Sequence, residues 1–462
     1  MTRISLLCYS VFFLLLSSLC FSQHATFQGL GDFPGGSFES SAQSVSADGA
    51  VVTGYSNAES GSQAFMWTEN TGMVSLGNLP DNSFKASWAN SISADGKVIV
   101  GYGDPVGDGW NSYKGFIWTA TNGMSLTGSL DGAGRSMAFD VSADGSVVVG
   151  DGGQQAFRWQ QSEGITGLGT LPGKPNSRAV AVSADGMVAT GSSYNSTWTS
   201  EETFRWTQDG GIQGLGFLSG TSNSFPNAIS PDGSVIAGTS ASSSRAYAYR
   251  WTASTGMVNI GNLPGAYTTH PGGVSQNGEI IVGGSYVNMS NGQAFIWDSV
   301  NKMRNLKTVL QTEYGLDLTG WTLQSASDIT PDGNVIVGWG VNPSGQQEAF
   351  RVALDTTRTL LREGQRTVGP VDFKLRQNYP NPFNPITAIS YQLGVNCIVK
   401  LQIYNTIGKE IKTLVDSYQN AGEHVVEWNG TDHTSKPVCS GVYLYSLVSN
   451  EINLQGKMIL IR

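Results

Sequence analysis

One pattern of apolar and polar positions recurs along the first three quarters of the chain. A short segment ending in Val-Ser or Ile-Ser, Ala42 to Ser46 in the first copy, meets an Asp-Gly pair. A Val/Ile run ending in Gly follows, as in Val98-Ile99-Val100-Gly101 and Val147-Val148-Val149-Gly150. Asp-Gly between two such runs predicts a tight hairpin, because its central residues accept positive φ. After a stretch of variable length comes an aromatic segment: Ala64-Phe65-Met66-Trp67, Gly115-Phe116-Ile117-Trp118, Ala156-Phe157-Arg158-Trp159, and likewise up to Ala294-Phe295-Ile296-Trp297. A turn ending in Gly then leads to a fourth segment such as Met73-Val74-Ser75-Leu76-Gly77. Each unit thus predicts four short strands, which must bury their Phe, Trp and Val faces against neighbouring units.

The unit occurs seven times, marked by Ser46-Ala47-Asp48-Gly49, Ser93-Ala94-Asp95-Gly96, Ser142-Ala143-Asp144-Gly145, Ser183-Ala184-Asp185-Gly186, Ser230-Pro231-Asp232-Gly233, Ser275-Gln276-Asn277-Gly278 and Thr330-Pro331-Asp332-Gly333. The Asp/Asn positions are 47, 49, 41, 47, 45 and 55 residues apart, the period of a four-stranded propeller blade. The seventh copy has its hairpin at Ile329 to Gly338 and its aromatic strand at Ala349-Phe350-Arg351-Val352, and no fourth strand follows. The missing piece matches Leu30-Gly31-Asp32-Phe33-Pro34-Gly35, set like Leu171-Pro172-Gly173 and Leu263-Pro264-Gly265. The expected fold is all-β: a seven-bladed β-propeller over residues 23–356, closed by its N-terminal strand so that no sheet edge stays exposed. An open solenoid is the alternative, and it leaves the missing strand unexplained.

Ahead of the repeat, Met1-Thr2-Arg3, an apolar core from Ile4 to Leu19 and Cys20-Phe21-Ser22 read as a signal peptide, 1–22, with cleavage after Ser22. Lipid modification at Cys20 is the rival, against which stands the bulky Leu19. The apolar run is shorter than the ~20 residues that span a bilayer, so no transmembrane anchor is expected. Cleavage leaves Cys397 and Cys439, which an exported chain could pair or leave free.

Composition narrows the classes further. The 462 residues include 59 Gly and carry a net charge of -9, with 13% charged residues. An acidic chain offers no electrostatic footprint for nucleic acid. The glycines lack a three-residue period and belong to turns between short strands.

The repeat residues resemble the HAF repeat family of extracellular proteins, named for a His-Ala-Phe run. The likeness covers about residues 28–356, including Gly320-Trp321-Thr322-Leu323, but Gln63, Gln155, Gln293 or Glu348 stands where that His would be. The resemblance implies export and a repeat fold.

A polar stretch at 357–371, with Arg358, Arg362 and Arg366, reads as a linker. Beyond it, alternation in Ile389 to Leu393, Val399 to Asn405, His424 to Trp428 and Gly441 to Tyr445 predicts a small immunoglobulin-like β-sandwich over 372–462. This segment closely resembles the type A C-terminal sorting domain of the type IX secretion system. The shared residues are Asn378, Pro380, Asn381, Pro382, Phe383, Asn384 and Pro385, then Tyr404, Gly408, Gly422, Trp428, Gly441, Tyr443 and Lys457. A module of flagellar hook-capping proteins shares part of the pattern. The resemblance implies export through the periplasm to the outer cell surface or extracellular space, with the secretion machinery as partner, removal of the tail and attachment to surface lipopolysaccharide.

Catalytic signatures are sparse. Only His24 and His270 fall in the mature repeat region, so a histidine metal centre or a Ser-His-Asp site is not expected, nor is any cofactor. The Asp-Gly pairs could hold calcium, but an Asp before Gly at a hairpin satisfies local backbone groups. Acids outside the repeated positions are Asp104, Asp108, Asp131, Glu201, Glu202, Glu313, Asp317 and Asp328, and no pair stands out for glycoside cleavage. Strand alternation places the long variable loops on one face. Aromatic residues there, Trp88, Trp110, Tyr113, Tyr194, Trp198, Tyr267, Trp321 and Trp339, with Phe84 and Tyr314, are candidates for stacking on a glycan or anchoring a protein partner. Three functional readings stay open: a secreted or cell-surface binding module, a polysaccharide-active hydrolase or lyase, and a structural adhesion component.

Overall fold

The computed structural model describes residues 25–79, 84–105, 112–130, 134–288, 291–354, 374–393, 397–419, 422–434, 436–449 and 452–462. The signal-peptide reading, the 357–371 linker, Trp110, Asp108 and Asp131 lie outside them. The chain forms two compact units, one within residues 1–361 and one within 362–462.

The larger unit is a β-propeller. Five of its sheets have four strands in chain order, for example Ala86–Ile92, Val98–Asp104, Lys114–Thr119 and Gly123–Leu126, all antiparallel. The first repeat supplies Gly35–Val45, Val51–Ala58, Gly61–Thr68 and Gly72–Ser75. One parallel bridge, Glu39 to Gln347, links these to Thr322–Ile329, Val335–Val341 and Gln347–Ala353. Thr26–Gly29 then pairs antiparallel with Gln347–Ala353, Thr26 opposite Ala353 and Gly29 opposite Phe350.

The aromatic segment of each repeat supplies the core. Phe65, Phe116, Phe157, Phe204, Tyr249, Phe295 and Phe350 are all fully buried, each contributing about 2–3 kcal/mol relative to exposure. Glycine on the second strand makes room for them. A Cβ on Gly191 would lie 2.0 Å from the Arg178 carbonyl and 2.6 Å from the Phe204 ring. The constraint there is close approach, since Gly191 is not among the positive-φ glycines.

The Asp-Gly turn carries two constraints. Its glycine has positive φ, 72° at Gly96, and abuts the preceding repeat: a Cβ there would meet Val51 Cγ2 at 2.8 Å. The same contact joins Gly145 to Val98, Gly186 to Val147, Gly233 to Val188, Gly278 to Val235, Gly333 to Ile280 and Gly49 to Val335. The last of these carries the series from the seventh copy back to the first. Serines continue it: Ser87 and Ser177 Oγ accept from Ala64 and Ala156 N–H of the repeat before, and Ser40 Oγ accepts from Ala349 N–H at 3.0 Å.

One element escaped the strand pattern. Leu306–Thr312 is an α-helix whose N-cap, Asn305, accepts from Thr308 N–H at 3.0 Å. Leu306, Val309 and Leu310 are buried on one side, an i, i+3, i+4 spacing that a strand could not bury together.

The smaller unit has two sheets. Lys374–Leu375, Thr387–Leu393 and Gly422–Trp428 form one, and Glu410–Gln419, Cys397–Asn405, Gly441–Ser449 and Ile452–Leu460 the other. They enclose a core that includes Phe383, Tyr391, Leu401, Trp428, Tyr445 and Met458. Glu410–Gln419 and Ile452–Leu460 are strands additional to those read from the sequence. Cys439 is an exposed free thiol.

Candidate functional site

The first strand of every repeat lines a central cavity of 470 Å³. In each, a β-bulge interrupts pairing at the same place, so Gln43, Asn90, Phe139, Val180, Asn227, Gly272 and Ser327 all reach the cavity wall. A bulge lets two neighbouring residues face one partner. The residue after it also lines the cavity, and in two repeats that residue is an acid, Asp140 and Asp328.

These two carboxyls clamp adjacent repeats. Asp140 accepts from Ser91 Oγ at 2.6 Å, Val182 N–H at 2.8 Å and Val141 N–H at 2.9 Å. Asp328 accepts from Ser44 Oγ at 2.8 Å, Val45 N–H at 3.1 Å and Ile329 N–H at 2.8 Å. Burial pushes each up to about 6, against the opposing pull of those hydrogen bonds. Asp328 was legible as an acid outside the repeated positions. Asp140 holds the matching place two residues before the Ser/Thr of the turn, where it reads as a repeated position, and the bulge before each is what sets both against the cavity.

At the Asp-Gly end a belt of backbone bonds joins the repeats. Ala47 N–H donates to Ala94 O at 3.0 Å, Ala94 to Ala143 O at 2.9 Å, Ala143 to Ala184 O at 3.0 Å, Ala184 to Pro231 O at 2.8 Å and Gln276 to Pro331 O at 2.8 Å. Pro231 and Pro331 have no N–H with which to continue it. The side chains of each turn bond within their own repeat. Ser93 Oγ donates to Asp95 Oδ1 at 2.8 Å and accepts from Val98 N–H, while Asp95 also accepts from Lys97 N–H. The Ser93 hydroxyl and the Lys97 ammonium hold the Asp95 carboxyl below its ordinary value. Among the described residues, no group of three or more His, Cys, Asp or Glu could hold a metal ion.

The loop-face aromatics fall into separate groups. Trp88 packs on Tyr102 and Tyr113, centroids 5.3 and 5.8 Å apart. Burial pushes the Tyr102 hydroxyl up to about 12. Tyr194 and Trp198 stack at 3.8 Å with 17° between planes, and the Arg178 guanidinium lies 5.4 Å from the Trp198 centroid. Trp339 lines the cavity, as does His270, whose imidazole burial shifts below its ordinary value. Trp321 sits edge-on to Phe27 at 4.9 Å, which ties it to the N-terminal strand. Tyr267 is exposed, while Phe84 is buried against Phe116.

The acids outside the repeated positions have partners. Glu201 bonds Arg178 at 2.9 Å, Glu202 meets Lys174 at 3.3 Å and Glu313 meets Arg304 at 2.7 Å. Asp104 accepts from Ser112 Oγ at 2.7 Å, and Asp317 from Thr319 Oγ1 at 2.6 Å.

In the smaller unit the proline-rich segment binds the end of the chain. Asn378 is buried and donates through Nδ2 to Thr387 Oγ1 at 2.9 Å and Pro380 O at 3.1 Å. Asn381 Oδ1 accepts from Ile459 N–H at 2.9 Å, Phe383 N–H donates to Ile459 O at 3.0 Å, and Ile461 N–H donates to Phe383 O at 2.9 Å. The Phe383 ring lies 5.6 Å from Trp428, which lies 5.2 Å from Tyr443. Tyr404 donates to Gln402 Oε1, and Gly408 and Gly422 take positive φ. Gly441 likewise takes positive φ, 158°, and Lys457 O accepts from Gln377 Nε2 at 2.8 Å.

No curated protein sequence matches the chain. Among solved structures it is similar to TolB from Acinetobacter baumannii, with 16% identity, TM-score 0.40, and 56% of this chain aligned to 63% of that one. The chain therefore spans 63% of that protein's length. It is also similar to an oligogalacturonate lyase in complex with manganese, with 13% identity, TM-score 0.46, and 72% of this chain aligned to 96% of that one. A third similarity is to PorZ, a surface component of the type-IX secretion system of Porphyromonas gingivalis, with 14% identity, TM-score 0.32, and 89% of this chain aligned to 64% of that one. Among the described residues no helix is long and apolar enough to cross a membrane. Residues 377–461 match the secretion system C-terminal sorting domain. That tail indicates secretion by the type IX system, to the cell surface or extracellular space.

Proposed function

We propose that the chain is a seven-bladed propeller of HAF-like repeats over 23–356, delivered through the periplasm by its 372–462 tail, and that it works outside the cell as a binding module. The blade count is supported by the seven glycine contacts that run round to Gly49 and Val335, and by the pairing of Thr26–Gly29 on the last repeat.

The observation that carries the binding role is the make-up of the loop face. It presents rings of Trp88 with Tyr113, Tyr194 with Trp198, and exposed Tyr267 on a rigid scaffold, while Asp104, Glu201, Glu202, Glu313 and Asp317 are held by cations or hydroxyls. Carboxylates occupied in this way are poorly placed for proton transfer to a substrate. Rigidly held rings suit recognition. In the test, labelled full chain recovered from the medium is added to envelopes of the producing cells and to material they shed. Saturable retention is expected; retention that only rises linearly with concentration overturns the reading.

A further inference from the structure

Resting on the binding-module reading, we infer that Trp198 is the stacking platform for one pyranose ring of a neutral glycan, with Arg178 and Glu201 bonding its hydroxyls. Trp198 has φ 58°, a conformation that bulky residues rarely adopt and that costs about 1–3 kcal/mol. The loop enforces it. Asn195 Oδ1 accepts from Thr199 and Ser200 N–H at 2.9 and 3.2 Å, Trp198 N–H donates to Asn195 O at 3.1 Å, and Asn195 N–H donates to Ser200 O at 3.0 Å.

The consequence is a fixed indole. One face lies on buried Tyr194, at 3.8 Å, yet Trp198 remains 48% exposed. A hydrophobic ring could hide more of its surface, so the strained loop holds this one out against its own solvation preference. Beside it, Arg178 donates to Glu201 Oε1 at 2.9 Å, and Ser192 Oγ donates to the same carboxylate oxygen at 2.5 Å. The Arg178 and Glu201 side chains are 26% and 13% exposed. They offer donors and an acceptor with no net charge.

The surroundings favour a sugar over a protein. A protein hot spot is an aromatic anchor ringed by contacts that exclude water. Trp198 is instead flanked in the chain by Ser196, Thr197, Thr199 and Ser200, which add hydroxyls and no apolar collar. A pyranose presents the matching surface, a C–H patch the size of one ring bordered by hydroxyls. The neutral Arg178–Glu201 pair matches an uncharged sugar. Trp88 lacks this geometry, being half-buried between Tyr102 and Tyr113.

The test titrates secreted full chain with cellohexaose, laminarihexaose, mannohexaose and chitohexaose by calorimetry. Binding to at least one is expected, weakened about tenfold or more by Trp198→Gly and only a few-fold by Trp198→Tyr. Glycine tolerates the same positive φ, so Trp198→Gly removes the ring without opposing the loop, and its melting temperature should match the parent. The inference is overturned if none of the four sugars binds, or if Trp198→Gly binds as tightly as the parent. In either case, saturable retention on envelopes would leave the broader binding role standing, whereas loss of that retention would remove both.

Discussion

Ser44 and Asp328, 284 positions apart in the chain, share a hydrogen bond of 2.8 Å that ties the first repeat to the last. The same carboxyl takes the N–H groups of Val45 and Ile329. Asp328→Ala strips three donors of their acceptor, and should cost about 3 kcal/mol, whereas Ser44→Ala removes one hydroxyl and should cost about 1 kcal/mol. Urea unfolding followed by tryptophan fluorescence will rank them, and equal, small effects would show that this clamp is dispensable.

The raised values of Asp140 and Asp328 give the protein a pH signature. Both titrate near 6 when folded, against the ordinary 3.8. Between those values the native state holds more protons than the unfolded chain, so stability falls as pH rises through the window and levels off above it. The cavity's access to water moderates the effect to on the order of 2 kcal/mol per group. Melting temperatures from pH 4.5 to 7.5 should decline more steeply for the parent than for Asp328→Asn or the Asp140→Asn/Asp328→Asn pair. Parallel profiles would mean that these carboxyls ionise as they do in water.

Two glycines with nearly the same backbone separate the reasons for using glycine. Gly72 has φ 65° and nothing within 4 Å of a Cβ, while Gly96 has φ 72° and Val51 Cγ2 at 2.8 Å. Gly72→Ala should cost about 1 kcal/mol, for conformation alone. Gly96→Ala adds overpacking between repeats and should cost about 1–2 kcal/mol more. Val51→Ala should recover part of that increment when combined with Gly96→Ala, a coupling readable in a double-mutant cycle.

What the sequence discloses here follows from what is local. The Ser93 and Asp95 side chains bond each other and the two N–H groups that follow, so these residue types recur wherever the turn does, and the repeat could be counted from them. Phe116 and its equivalents occupy one register position in strands that all pair alike, so the core was equally plain. The cavity wall was hidden because a bulge moves Asn90 and Phe139 out of the alternating register without leaving a residue signature. The Leu306–Thr312 helix was missed because seven residues between strands look like one more loop until Asn305 is seen as a cap. Trp198 was picked out as a loop aromatic, but its pairing with Tyr194 depends on a turn held by Asn195, and short polar segments permit many such turns.

The last prediction concerns the tail. Asn378 closes the proline-rich segment through Thr387 and Pro380, and its N–H donates to the Tyr445 hydroxyl at 3.2 Å. Tyr379, next to it, is 82% exposed. Asn378→Ala leaves the Thr387 and Pro380 oxygens without this donor inside the fold and should cost the domain about 2 kcal/mol. Tyr379→Ala should leave stability within about 0.5 kcal/mol. If secretion depends on the folded tail, Asn378→Ala should lower the amount of chain in the medium in step with increased protease sensitivity of residues 374–462. Tyr379→Ala should change neither. Full secretion of a protease-sensitive Asn378→Ala chain would show that the machinery reads this tail unfolded; loss of secretion in a protease-resistant Tyr379→Ala chain would instead place the recognised surface on that exposed ring.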